Sequence, residues 1–165
     1  MRLFIASPVN LYDYTALKSD FSEVLDGKWV EEENLHLTWV FLGNRDSAKA
    51  ILEKMTLLSP LEHPCLLNGL GTFGHPPRVL FARSDEKILY DKAREFRKAG
   101  FELYRFTPHA TVCRIKKIHD YKRFKASRKN YKEKILGEIL PEITLYESVL
   151  TEERAYYKKI KSVIK

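Results

Sequence analysis

The sequence predicts a duplicated fold of strands and helices in which two sheets face a shared cleft. Apolar periodicity gives the order strand, helix, strand, helix twice along the 165-residue chain. Each half carries a histidine and a threonine two residues apart on a late strand, His36 with Thr38 and His109 with Thr111. Because strand side chains alternate between faces, each pair projects from one side of its strand. Two such pairs indicate a site where two imidazoles and two hydroxyls converge.

The first half of the chain alternates strands with helices. Its predicted elements are a strand over residues 2–8, a helix over 11–25, a strand over 35–42 and a helix with an apolar stripe from 48 to 58. Pro8 closes the first strand, because proline cannot donate a hydrogen bond within a sheet. Asp26 and Gly27 end the first helix. The strand with the first motif is apolar on both faces, which is typical of a central strand.

The second half repeats this order and adds a tail. Predicted strands cover residues 65–73 and 78–83, and a predicted helix covers 87–98. Residues 101–106 then lead into the motif strand over residues 107–114. The segment Gly74-His75-Pro76-Pro77 is a predicted loop, in which His75 is interpreted as a surface histidine, with a role in binding as the alternative. A basic helix with Phe124 and Tyr131 inward follows the motif strand. The tail carries two strand-like runs, over residues 143–150 and 156–164.

The positive charge of the chain is concentrated in one window. The formal net charge is +7, and between Lys116 and Lys134 nine basic residues are opposed only by Asp120 and Glu133, which accounts for the whole excess. A basic patch beside a candidate site indicates a polyanionic partner. The alternative is a solvated, lysine-rich helix that binds nothing.

Composition and length exclude several other classes of protein. The apolar fraction of 44% supports a folded core, and the length predicts one domain over residues 1–165. Apolar runs are far too short to cross a bilayer, and the first residues lack the long apolar region of a signal peptide. We therefore expect a cytoplasmic protein, and we expect a monomer because nothing indicates an obligate oligomer. Cys65 and Cys113 lack metal-type spacing and are interpreted as small apolar fillers.

Two histidines and two threonines suit the hydrolysis of a phosphodiester. Breaking a P–O bond with water requires a base that takes a proton and an acid that protonates the leaving oxygen, and histidine serves in both roles near neutral pH. The Thr38 and Thr111 hydroxyls would donate hydrogen bonds to the non-bridging oxygens. No metal or other cofactor is required, and two histidines alone would make a poor zinc site. The alternative is that His36 and His109 are only structural residues of their strands.

The two motifs resemble the signatures of a known superfamily. His36-Leu37-Thr38 followed by Phe41-Leu42-Gly43, and Pro108-His109-Ala110-Thr111 followed by Arg114, resemble the paired motifs of the two-histidine phosphoesterases. Within that superfamily the chain looks most like the bacterial and archaeal RNA 2′,3′-cyclic phosphodiesterases, also called 2′-5′ RNA ligases. The resemblance runs the length of the chain, with further family-like segments at residues 2–6, 78–82 and 145–157.

The resemblance implies a bilobal α+β fold in which two antiparallel sheets with outer helices form a central cleft. It also implies that the substrate is an RNA with a 2′,3′-cyclic phosphate end, or a cyclic nucleotide, and that the product is a 2′-phosphate. His36 would be the general acid that protonates the departing 3′ oxygen. His109 would be the general base that activates water, and Thr38 and Thr111 would hold the phosphate.

The resemblance further implies a place for the terminal base. Arg114 matches a family arginine that lies against the base, and Phe4 is a candidate aromatic partner. Strict alternation along the motif strand would turn Arg114 away from His109. Its implied role therefore requires that the strand ends or twists before Arg114.

Two other functions stay open on the sequence alone. RNA ligation is the reverse reaction, which joins a 2′,3′-cyclic end to a 5′-hydroxyl, and microscopic reversibility lets the same residues catalyse it. A non-catalytic RNA-binding module would use the Lys116–Lys134 window for salt-sensitive, sequence-tolerant binding. This last function leaves the two His-x-Thr pairs without an explanation.

Overall fold

The computed structural model describes residues 1–164, which form ten strands, four α-helices and a short 3₁₀ turn. In chain order the elements are β1 (Arg2–Leu11), α1 (Tyr14–Phe21), β2 (Leu25–Trp29), the 3₁₀ turn (Glu32–Asn34), β3 (His36–Asn44), α2 (Lys49–Met55), β4 (Cys65–Asn68), β5 (Leu70–Phe73), β6 (Val79–Arg83), α3 (Lys87–Lys98), β7 (His109–Ile118), α4 (Tyr121–Lys129), β8 (Ile135–Ile139), β9 (Thr144–Leu150) and β10 (Ala155–Ser162). Among these residues no helix is long and apolar enough to cross a membrane.

The strands form two antiparallel sheets, as predicted. The first sheet has the order β10-β9-β1-β8-β4, with β3 also paired to β1, and the second has the order β2-β7-β6-β5. Every strand pairing is antiparallel. The two motif strands, β3 and β7, lie beside each other where the sheets meet. The fold class predicted from the sequence, α+β with two antiparallel sheets, is therefore confirmed.

A single large hydrophobic core is shared by both sheets. It includes Leu37 of β3 and Val112 of β7, both fully buried between the sheets and the helices. Trp39 anchors this core, because its ring stacks on Phe96 of α3 with centroids 5.2 Å apart. The buried Trp39 Nε1 donates to the Ser7 hydroxyl at 2.8 Å, which satisfies the one polar atom of the indole. The shared core fixes β3 against β7 and so fixes the two motifs relative to each other.

One expectation about β1 and one about α1 are wrong. Pro8 does not close β1, which continues to Leu11 by changing partners: its pairing with β3 ends at Pro8, and Val9–Leu11 pair with β8. Proline is tolerated at this change of partner because no ladder bond from its nitrogen is needed there. Helix α1 is also shorter than predicted, since Leu11 belongs to β1 and Leu25 to β2. The apolar residues of β1 and β2 that flank α1 extend its helix-like spacing in the sequence, because the side chains of all three elements face the same core.

Gly27 has a packing role in β2 and does not end a helix. A Cβ atom at this position would lie 2.7 Å from the Arg114 carbonyl oxygen and 2.7 Å from the Cys113 sulfur. Only glycine therefore lets β2 approach the second motif strand this closely.

In the second half, the predicted strand over residues 65–73 is two strands in different sheets. The chain crosses from β4 to β5 at Gly69, whose φ of 77° is in the left-handed region that favours glycine. Residues 101–106 form no strand, and Phe106 instead stacks on Trp39 with centroids 5.2 Å apart. Strand β8 was not predicted. The two tail strands and the basic helix α4 are confirmed, with Phe124 and Tyr131 buried.

Candidate active site

The structure brings both His-x-Thr pairs into one cleft between the two sheets. The cleft has a volume of about 590 Å³, and His36, Thr38, His109 and Thr111 all line it. His36 and Thr38 come from β3, and His109 and Thr111 come from β7. The neighbouring residues Leu37 and Ala110 point the other way and are fully buried in the core, as the alternation of strand side chains requires. The convergence predicted from the sequence is therefore observed.

The two histidines are held by matching hydrogen bonds. His36 Nδ1 lies 2.6 Å from the Asn34 carbonyl oxygen, and His109 Nδ1 lies 2.6 Å from the Thr107 carbonyl oxygen. A carbonyl oxygen only accepts, so each Nδ1 carries the hydrogen and donates it. Each imidazole is thereby fixed in one tautomer, and its Nε2 is the nitrogen free to take up or release a proton.

Each imidazole packs against two aromatic rings, in a similar arrangement around both histidines. Two rings flank each histidine, one of them edge-on at 90°: Tyr157 and Phe4 beside His36, and Phe73 and Phe81 beside His109. The ring centroids lie between 4.9 and 5.3 Å from those of the imidazoles. Both histidines thus have the same kind of hydrogen bond from Nδ1 and the same kind of aromatic packing, which agrees with the predicted internal duplication.

The electrostatics of the cleft favour neutral imidazoles in the free protein. Burial lowers the pKa of both His36 and His109 below the usual histidine value, because it penalises the charged form. In both cases the hydrogen bond from Nδ1 opposes this shift by raising the pKa. The positive charges of His109 and Arg114 lower the pKa of His36 further. An anion bound between these groups would reverse the effect and favour protonation.

A β-bulge turns Arg114 into the cleft. Leu80 of β6 pairs with Cys113, whereas the next residue, Phe81, pairs with Thr111, so Val112 is an extra residue in β7. The bulge breaks the alternation, and both Val112 and Cys113 are buried. Arg114 therefore projects to the same side as Thr111 and lines the cleft. The strand does not end at Arg114, since β7 continues to Ile118. A bulge within the strand, and not its end, turns this side chain toward the cleft.

A β-bulge in β3 likewise places Phe41 in the cleft, a position that the alternation of strand side chains does not predict. Ile5 of β1 pairs with Val40, whereas Ala6 pairs with Thr38, so Trp39 is the extra residue. The apolar character of both faces of this strand predicts that its side chains are buried, but Phe41 is 76% exposed and lines the cleft. Its position five residues after His36 matches that of Arg114 after His109, and this shared offset is the signal that could have identified it.

Phe4 lines the cleft mostly as part of its wall. It is only 4% exposed, and its ring stacks on Tyr146 with centroids 5.4 Å apart. The same ring contacts His36, so Phe4 supports a histidine from behind. Tyr157, which was not predicted as a site residue, also lines the cleft and contacts both Phe4 and His36.

The turn between β9 and β10 contributes to the lining of the cleft. Arg154 Nη1 lies 2.8 Å from Glu33 Oε1, and the Asn34 side-chain amide donates to the Ala155 carbonyl oxygen at 3.0 Å. Both contacts tie this turn to the 3₁₀ turn that precedes His36. Since the Asn34 carbonyl holds His36 Nδ1, the β9–β10 turn also steadies the first histidine.

The one His/Cys/carboxylate cluster among residues 1–164 with ligand atoms close enough for a metal ion lies outside the cleft. The ligand atoms of His63, Cys65 and Glu86 lie within 4.8 Å of one another. Burial and the negative charge of Glu86 raise the pKa of the Cys65 thiol to about 12, which disfavours the thiolate that a metal needs. Cys65 and Cys113 are both free and buried, which agrees with their interpretation as apolar fillers.

The paired sheets and the mirrored His-x-Thr pairs define the class of two-histidine phosphoesterases. A family model described as LigT-like phosphoesterase matches residues 13–81. The chain is 32% identical to an RNA 2′,3′-cyclic phosphodiesterase of Methanocaldococcus jannaschii, over 98% of this chain and 99% of that protein. It is 31% identical to the Aquifex aeolicus protein of the same name, over 86% of this chain and 83% of that protein. The chain belongs to the LigT-like phosphoesterase family, and the family predicted from its motifs is confirmed.

Solved structures share the fold over nearly the whole chain. A Thermus thermophilus protein superposes with a TM-score of 0.73 at 22% identity, over 99% of this chain and 97% of that one. E. coli LigT complexed with 3′-AMP superposes with a TM-score of 0.67 at 21% identity, over 98% and 95% of the two chains.

Proposed function

We propose that this phosphoesterase hydrolyses the terminal 2′,3′-cyclic phosphate of an RNA to a 2′-phosphate, without a metal ion. The observation that carries the proposal is the pair of imidazoles in one cleft, each with its Nδ1 bound to a backbone carbonyl and its Nε2 free. Relatives that are over 30% identical bear the name RNA 2′,3′-cyclic phosphodiesterase, which supports the same substrate.

In the proposed mechanism the two histidines act on opposite sides of the phosphorus. His109 Nε2 takes a proton from water, and the water oxygen forms a new bond to phosphorus. The bond between phosphorus and the 3′ oxygen breaks, and His36 Nε2 delivers a proton to that oxygen. The Thr38 and Thr111 hydroxyls donate hydrogen bonds to the non-bridging oxygens, where negative charge builds up in the transition state.

Two side chains beyond the histidines are suited to hold the terminal nucleoside. Arg114 brings a positive charge and a planar guanidinium to the cleft, and Phe41 brings an exposed aromatic face. Both groups stack on nucleobases without strong preference for sequence. We propose that the base of the cyclic nucleotide lies against one or both of them, with Phe4 behind His36 as support.

A direct test is incubation of the protein with a 2′,3′-cyclic mononucleotide and identification of the product isomer. We expect only the 2′-phosphate, at an unchanged rate when EDTA is present. Formation of the 3′-phosphate would contradict the assignment of the leaving oxygen, and loss of activity with EDTA would contradict the metal-free mechanism. If wild-type protein turns over neither mononucleotide nor RNA ends, the non-catalytic alternative replaces this proposal.

The pH dependence should show the lowered pKa values of the histidines. One imidazole must be protonated and the other neutral, so kcat/KM should be bell-shaped. Because burial lowers both pKa values in the free protein, each proton is lost at a lower pH, and the maximum should lie on the acid side of about pH 6.5. The pH profile of kcat should be displaced to higher pH relative to that of kcat/KM, since the bound phosphate favours the protonated imidazole. A kcat/KM that stays constant up to about pH 9 would contradict this assignment.

Phe41→Ala should weaken substrate binding with little change in kcat. Loss of one base–aromatic stack costs about 1–3 kcal/mol, so KM for a cyclic mononucleotide should rise by about tenfold. Tyr104→Ala is a matched control, because Tyr104 is an exposed aromatic residue that does not line the cleft. An unchanged KM in Phe41→Ala would exclude stacking on this ring.

A further inference from the structure

A second concave surface, the basic groove, lies next to the edge strand β5. It has a volume of about 590 Å³ and shares no lining residue with the catalytic cleft. Its walls are β5, the loop that contains His75, and helix α4 with the turn that follows. None of the groups proposed for hydrolysis lies in the basic groove.

The basic groove collects positive charge from two separate parts of the chain, strand β6 and the segment formed by α4 and the turn after it. Five basic side chains line it: Arg83 of β6, Lys125, Arg128 and Lys129 of α4, and Lys132 of the following turn. Glu133 is the one acidic residue in its lining. Within residues 1–164 none of the five cations takes part in an ion pair, whereas Arg123, on the same helix, pairs with Glu23. A concave surface with this excess of unpaired cations is suited to a polyanion.

One strand separates the basic groove from the catalytic cleft. The Phe73 ring packs on His109, with centroids 4.9 Å apart. The adjacent residue, Thr72, accepts a hydrogen bond from Arg128 Nη1 at 3.2 Å. Consecutive residues of β5 thus contact the second histidine on one side and helix α4 on the other. Because β5 is the edge of its sheet, a chain that leaves the cleft can pass over it into the groove.

We propose that the basic groove binds the phosphodiester backbone of the nucleotides upstream of the RNA end held in the cleft. This inference rests on the proposed function, because it takes the cleft as the site of the terminal phosphate. Lysine and arginine contacts to phosphate are independent of sequence and weaken with salt. Tyr121, which is 47% exposed at the groove, offers a face on which a base can stack. The groove gives the Lys116–Lys134 window a role in holding long substrates.

The test uses a variant that removes charge from exposed side chains of the basic groove. Lys125→Ala, Lys129→Ala and Lys132→Ala are combined, because these three side chains are exposed and make no hydrogen bond within residues 1–164. Arg128 is retained because it bonds Thr72. The matched control combines Lys49→Ala, Lys87→Ala and Lys98→Ala, which removes the same charge from exposed positions outside both the groove and the cleft.

Binding is measured by fluorescence anisotropy with a single-stranded RNA of roughly 12 nucleotides that ends in a 3′-hydroxyl and cannot be hydrolysed. We expect the groove variant to bind the RNA about tenfold more weakly than wild type at low salt. The logarithm of the association constant should also fall less steeply with the logarithm of the salt concentration, its slope being smaller in magnitude by about 2, since three phosphate contacts are lost. The control variant should bind like wild type. Equal binding by the groove variant and wild type, or equal loss in both variants, would overturn the proposal.

Hydrolysis separates this inference from the proposed function. With the groove variant, KM for an RNA with a 2′,3′-cyclic end should rise, while kcat and the hydrolysis of a cyclic mononucleotide stay at wild-type values. A loss of mononucleotide hydrolysis in the variant would contradict the separation of groove and cleft. If wild type hydrolyses neither substrate, the proposed function fails, and the anisotropy result still decides whether the groove binds RNA.

Discussion

Replacing either His36 or His109 with alanine should abolish hydrolysis of a 2′,3′-cyclic mononucleotide. A positioned general acid or base contributes about 10²–10⁴-fold to rate, and each variant should lose at least this factor in kcat. The reason is geometric: in both cases Nδ1 is bound to a backbone carbonyl, so Nε2 alone can exchange a proton. The measurement is the steady-state rate with purified protein, checked by the thermal unfolding midpoint.

The fold should survive both substitutions, because the two side chains lie at the cleft and outside the main hydrophobic core. His63→Ala is the control, since His63 is an exposed histidine that does not line the cleft. Full activity in His36→Ala or His109→Ala would exclude the paired acid–base mechanism. Complete loss of binding to product as well as of turnover would point instead to a role in holding the phosphate.

Replacing Thr38 or Thr111 with valine should lower kcat while the cleft keeps its shape. Valine has the same shape but lacks the hydroxyl, and removing one hydrogen-bond donor from a developing oxyanion costs about 10²–10³ in kcat. Both threonines line the cleft on the same side as the histidine of their motif. KM should change less than kcat, because the hydrogen bonds strengthen as charge develops.

The threonine variants are compared with Thr56→Val, an exposed threonine outside the cleft. The double variant Thr38→Val with Thr111→Val shows whether the two hydroxyls act on the same charge, since coupled groups give effects that do not add. Unchanged kcat in both single variants would leave phosphate stabilisation to Arg114 and the backbone. A rise in KM alone would restrict the two threonines to substrate binding.

The sequence was informative where one local rule decided the outcome. His36 and Thr38, and His109 and Thr111, share a face because strand side chains alternate over short distances. The sequence failed where partners in another strand broke that rule. The β-bulges at Trp39 and Val112 are defined by the register against β1 and β6, and no local pattern in either motif signals them.

The boundaries of several elements depended on tertiary contacts in the same way. The sequence predicts one strand over residues 65–73, yet the segments before and after Gly69 belong to different sheets. The extension of β1 past Pro8 depends on β8, which lies more than 120 residues later in the chain. Pairings over such separations cannot be read from the periodicity of a single segment.

By itself the sequence determined the paired motifs, the two antiparallel sheets that the family resemblance implied, and the concentration of positive charge after the second motif. The tertiary structure decided how Phe41 and Arg114 come to face the cleft, since the direction of both side chains depends on strand register. It also decided which residues of the Lys116–Lys134 window act together. Lys125, Arg128 and Lys129 form a groove with Arg83 only because α4 packs against β5, beside the second histidine.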